Sequence, residues 1–125
     1  MAQSEVPAGD YSRQVLNNLS LNNRSFKNNV LANLVSEEPN VRNVAQKVAL
    51  GEVDAGIIYR TDVTTAHGNG NIHVIEFPKG SNVAAKYPIA VLKNSGEKAL
   101  ANKFLDFVMS EAGQSVMANH GFSSP

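Results

Sequence analysis

The sequence predicts an α/β fold, and three observations carry that prediction. Val41, Val44, Ala45, Val48 and Ala49 recur at helical spacing and form one apolar stripe. A short apolar run, Ala55-Gly-Ile-Ile-Tyr59, follows after Gly51 and the turn Glu52-Val53-Asp54; a run of that length is expected of a strand covered on both faces. Two more short apolar runs, residues 72–77 and 87–93, lie downstream between turn-forming residues. Helix, turn and strand in this order make the stretch 40–63 the organising element of the chain.

Taken in order, Val6-Pro-Ala-Gly-Asp-Tyr11 reads as a turn entering a helix over 10–19, with Val15, Leu16 and Leu19 on one face. A helix start at Ala8–Gly9 leaves free backbone N–H groups and the positive end of the helix dipole, which suits an anion. Residues 20–29 are polar and rich in Asn, a connection with a short helix over 25–34. Glu37 and Glu38 precede a helix start, where the dipole favours negative charge; adjacent residues usually point apart, which argues against a paired catalytic role. Asn40 is a good N-cap for the helix beginning at Val41, and Gly51 is placed to stop it. That start is a second anion-friendly terminus, open at residues 40–42. Tyr59 closes the predicted strand, and in open α/β sheets ligands sit beyond the carboxyl ends of strands; its phenol O–H can donate one more hydrogen bond.

Residues 60–62 begin a short connection, and 64–71 read as a Gly- and Asn-rich loop. The 72–77 run is a strand, 78–85 another connection, and 87–93 a third strand that Pro88 marks as an edge or a strand start. Two helices follow, 99–109 and 111–118, the first strongly amphipathic through Leu100, Phe104, Leu105, Phe107 and Val108; Gly121 stops the second.

Charge and composition exclude several function classes. Among 125 residues, 11 basic side chains balance 11 acidic ones, so no net field draws in nucleic acid or membrane. There is no cysteine, hence no disulfide, thiolate zinc site or cysteine nucleophile. No apolar run approaches the roughly 18 residues of a spanning helix, and Met1-Ala-Gln-Ser-Glu5 is not a signal peptide, although trimming of a precursor is compatible with this start. His67, His73 and His120 have no partner at metal-ligand spacing, so no metal site is expected. No Gly-x-Ser-x-Gly turn and no phosphate-cradling Gly-rich loop occurs. Neither an enzyme nor a cofactor is expected.

Five pieces occur in one order: Val6-Pro-Ala-Gly-Asp-Tyr11, Asn40-Val-Arg-Asn-Val44, Gly51-Glu-Val-Asp-Ala-Gly-Ile-Ile-Tyr-Arg-Thr-Asp62, Lys86-Tyr-Pro-Ile-Ala-Val-Leu-Lys93 and Phe104-Leu-Asp-Phe-Val-Met-Ser-Glu-Ala-Gly-Gln114, followed by Asn119-His-Gly-Phe122. Together they resemble the periplasmic molybdate-binding proteins of ABC importers, over nearly the whole chain. The resemblance implies a periplasmic-binding-protein type II lobe, a short mixed sheet flanked by helices. It implies that residues 1–93 form the second ligand-binding lobe with the returning hinge strand, and that 94–125 form a C-terminal helical segment. It implies that a molybdate or tungstate oxyanion is held by neutral donors: the N–H of Ala8, the N–H of Val41 and the O–H of Tyr59. A dianion offers acceptors only, and aligned N–H groups can balance its charge without a cation. The implied partners are the oxyanion and a transporter permease, with no nucleic acid; the implied location is periplasmic or membrane-anchored outside the cell.

One departure from the family is large. Nothing here corresponds to its first lobe or to that lobe's serine donors, and the strand before Val-Pro-Ala-Gly is cut to Met1–Glu5. The apolar face of 99–109 should therefore lack its usual cover and favour a homodimer through the C-terminal helices. Two alternatives stand beside the main reading: a lobe for another tetrahedral oxyanion such as sulfate, and an effector-sensing domain of a transcription regulator. The absence of a helix-turn-helix and of a basic face argues against the second.

Overall fold

The computed structural model describes residues 1–66 and 72–125, with side chains given for all of these except 64–66. His67 and most of the loop expected over 64–71 lie outside the described residues. Among the described residues six helices are formed: α1 (Pro7–Leu19), α2 (Phe26–Ala32), α3 (Val41–Ala49), α4 (Arg60–Ala66), α5 (Lys98–Met109) and α6 (Glu111–Asn119). They fall into two units, Met1–Ala85 and Lys86–Pro125.

Local chemistry explains the helix ends. Asn40 caps α3, its side-chain oxygen accepting the Asn43 N–H at 3.0 Å. Gly51 adopts φ 69° after the last turn. Its N–H reaches Val48 O at 3.0 Å and the Glu52 N–H reaches Lys47 O at 2.9 Å, the paired bonds of a Schellman C-cap. The same motif closes α6: Gly121 has φ 87°, with N–H bonds from Gly121 to Ala118 O at 2.9 Å and from Phe122 to Met117 O at 3.1 Å. Ser110 caps the start of α6 by accepting the Gly113 N–H at 3.2 Å.

Two helices differ from the sequence expectation. α1 begins at Pro7 rather than Asp10, because proline has no N–H to lose and its fixed φ already suits the first helical position. α4 occupies residues expected to be a connection and the start of a loop. Its Thr-rich sequence is a weak helix former, and packing against α3 supplies what propensity does not.

The expected sheet is the main correction. Among the described residues no strand ladder forms; pairing is limited to one parallel bridge, Ala2 with Glu38. There the Gln3 N–H reaches Glu38 O and the Glu38 N–H reaches Met1 O, each at 2.9 Å. Segments 55–59, 72–77 and 87–93 are neither helical nor laddered. Apolar pattern marks a segment as strand-like, but a ladder also needs neighbours to take its N–H and C=O groups. Accordingly Val74, Ile75, Tyr87, Ile89 and Leu92 are exposed, and residues 57–59 are half-buried rather than covered on both faces.

In the first unit Ala2, Ala8 and Val44 form a buried apolar cluster, with Val6, Val41, Ile58 and Tyr59 packed on it. Val15, Leu16 and Ala45 are also buried. Ser12 is buried on α1 and donates its hydroxyl to Ala8 O at 2.6 Å. In the second unit α5 has no buried residue; Leu100, Phe104 and Phe107 are exposed.

Candidate functional site

Ala8, Val41 and Tyr59 come from three elements far apart in sequence, and the fold brings them into one cluster. Ala8 is the second residue of α1 and Val41 the first of α3. N–H groups at such positions have no acceptor within their own helix. The neighbouring donors are already used: the Gly9 N–H reaches Val6 O at 2.9 Å, and the Asn43 N–H is taken by its cap. The N–H groups of Ala8 and Val41 meet no acceptor among the described residues. Two helix dipoles thus present their positive ends around the cluster on which Tyr59 packs.

Residues 1–3 hold the two helix starts in register. Gln3 and Glu38 pair across the bridge, and Arg13 reaches from α1 to Glu37, with further bonds from its guanidinium to Gly9 O at 3.2 Å and Ala2 O at 3.4 Å. Glu38 is engaged separately by Lys47, 2.8 Å away on α3. The hydrogen bond from Lys47 holds the Glu38 carboxyl below its ordinary value, and the carboxylate in turn raises the Lys47 ammonium. Each glutamate therefore has its own cationic partner and a structural explanation.

Two features escape sequence reading. The Tyr11 ring, on α1, lies 6.5 Å from the Tyr59 ring at 65°, an edge-to-face contact; its position three residues after Ala8 is the one signal the sequence offers. Asp62, in the first turn of α4, donates its N–H to Tyr59 O at 3.0 Å. Burial raises its carboxyl above the ordinary 3.8, while Arg42 on α3 opposes that shift. A carboxyl raised in the folded state adds stability that is fully present below the unfolded value and lost as pH rises through the folded one. Asp62→Asn is therefore expected to melt above the wild type at about pH 7, the gap closing near about pH 3 in thermal scans. A gap that widens on acidification would mean that attraction to Arg42 outweighs burial.

Among the described residues no group of three or more His, Cys, Asp or Glu side chains gathers around a common point. No helix among them is long and apolar enough to cross a membrane.

A family model described as bacterial extracellular solute-binding protein matches residues 1–123. The molybdate-binding protein ModA of Mycobacterium tuberculosis is 31% identical over 125 residues, all of this chain and 44% of that protein. ModA of Haemophilus influenzae is 27% identical over 121 residues, 97% of this chain and 44% of that protein. The Bacillus subtilis protein YvgL, which carries the name of an ABC transporter substrate-binding lipoprotein, is 27% identical over 120 residues, 95% of this chain and 43% of that protein. The chain thus spans less than half the length of the curated relatives it matches. No solved structure gives a significant match.

Proposed function

The chain belongs to the bacterial extracellular solute-binding protein family, and from that premise we propose that it is a ligand-binding lobe of a molybdate or tungstate importer's solute-binding component. The oxyanion is held by the N–H of Ala8, the N–H of Val41 and the O–H of Tyr59, without catalysis. The observation that carries the reading is the convergence of these three residues on one cluster, with two helix starts whose N–H groups have no protein acceptor among the described residues. The names of the relatives supply the ligand class. In this reading a second lobe completes the cage and a transporter permease receives the ligand. The working location is outside the cytoplasmic membrane, periplasmic or lipid-anchored.

One lobe offers three of the donors a tetrahedral dianion can use, so this chain alone is expected to bind weakly, on the order of millimolar or weaker. An NMR titration with sodium molybdate, following the amide signals of Ala8 and Val41, measures affinities in that range. Shifts confined to those amides and their neighbours are expected, and competition with sulfate and tungstate ranks the three anions. Saturation at submicromolar molybdate would sink the half-site picture; shifts located elsewhere would sink the site. The exposed Leu100, Phe104 and Phe107 of α5 add self-association through the C-terminal helices to the proposal. Light scattering on the same samples, if it reports a monomer at every concentration, removes that part.

A further inference from the structure

Tyr59 stands at a junction, the last residue before α4 begins at Arg60. A tyrosine hydroxyl oxygen lies on the long axis of its ring, so the χ1 rotamer decides where it points, and a neighbour packed against the ring restricts that choice. The neighbour on α1 is Tyr11. The two rings meet edge to face, centroids 6.5 Å apart and planes at 65°, so the positive edge of one faces the negative face of the other. A change of χ1 at Tyr59 would carry its ring out of that contact, so the arrangement favours one χ1 rotamer. Both rings are half-buried, which limits the room for another rotamer. The contact through which Tyr11 meets Tyr59 is that of its ring. Tyr11 also sits one helical turn beyond Ala8, on the helix whose start supplies that N–H.

We propose that Tyr11 is a positioning residue for anion recognition: its ring, packed edge to face on Tyr59, holds the Tyr59 hydroxyl toward the N–H groups of Ala8 and Val41. The proposal rests on the functional reading above, since it needs Tyr59 to be a donor. It differs from a general packing role in one respect: the contribution of Tyr11 to binding passes through the Tyr59 hydroxyl and disappears when that hydroxyl is absent.

The test is a set of sodium molybdate titrations of the 125-residue chain followed at the Ala8 and Val41 amides. It compares wild type, Tyr11→Leu, Tyr11→Phe, Tyr59→Phe and the Tyr11→Leu/Tyr59→Phe double variant. Tyr11→Leu is expected to weaken binding about three- to tenfold, the range of an aromatic pair. Tyr11→Phe keeps the ring and should restore wild-type affinity, and the double variant should bind no more weakly than Tyr59→Phe alone. Losses that add in the double variant overturn the proposal. So does a Tyr11→Phe variant as weak as Tyr11→Leu, which would make the Tyr11 hydroxyl a ligand in its own right. A measurement on the wild type covers the case in which Tyr11→Leu does not fold: ring-to-ring NOEs between Tyr11 and Tyr59 should persist at molybdate saturation, and their loss overturns the proposal. A wild type that responds while Tyr11→Leu binds equally well removes the positioning role alone; a wild type with no response at Ala8 and Val41 removes the functional reading with it.

Discussion

Replacing Gly9 with alanine is expected to destabilise the first unit by about 3 kcal/mol, the upper end of what an overpacked site costs. Gly9 is the third residue of α1, and the chain of residues 1–3 passes directly over it. A methyl group there would stand 2.7 Å from Ala2 O and nearer still to Gln3 O. Both are backbone atoms, and neither can yield by changing a rotamer. Gln3 is bonded to Glu38 across the one parallel bridge, and Ala2 is fully buried in the apolar cluster. Relief of the clash therefore requires residues 1–3 to lift away, which opens the bridge, uncovers Ala8 and Val44 and loosens the link between the starts of α1 and α3. Gly96→Ala is the matched control, since an added methyl there meets nothing within 4 Å; it should stay within about 0.5 kcal/mol of wild type. Urea denaturation of the three proteins checks both values. Equal midpoints for Gly9→Ala and Gly96→Ala would mean that residues 1–3 do not pack on α1 in solution.

What the sequence discloses here follows the range over which each interaction acts. Asn40, Gly51 and Gly121 were legible as helix ends because a cap is made by residues within one turn of it. The amphipathic face of α5 was legible for the same reason, as spacing alone defines it. The sheet was not, because alternation and apolar runs state only that a segment can be a strand. Segment 72–77 carries the pattern, yet Ile75 remains 89% exposed. α4 was missed in the opposite direction: its threonines argue against a helix, and contact with α3 overrides them. The ion pairs Arg13–Glu37 and Arg60–Glu76 join residues far apart in the chain, so no local pattern announces them. The candidate site is an intermediate case. Each of its parts, two helix starts and a phenol at the end of an apolar run, is a local feature open to reading. Their meeting on one cluster is a tertiary fact, and so is the contact between Tyr11 and Tyr59.

The second large effect is expected at Tyr59. In a two-lobed protein carrying this sequence, Tyr59→Phe should weaken molybdate binding by about 1–3 kcal/mol, the usual result of removing a hydrogen bond to a charged group. This corresponds to a loss of roughly five- to 150-fold in affinity. The substitution removes the hydroxyl and keeps the ring, which packs on the Ala2, Ala8 and Val44 cluster and meets Tyr11 edge to face. An anion held by a few neutral donors loses one of them, and the N–H groups of Ala8 and Val41, fixed to their helices, cannot shift to replace it. Calorimetric titration of both proteins at one ionic strength reads the difference, with thermal melting as the check on folding. An unchanged affinity with an intact melt would remove Tyr59 from the site and leave the two helix starts without the third donor that fits them to a tetrahedral dianion.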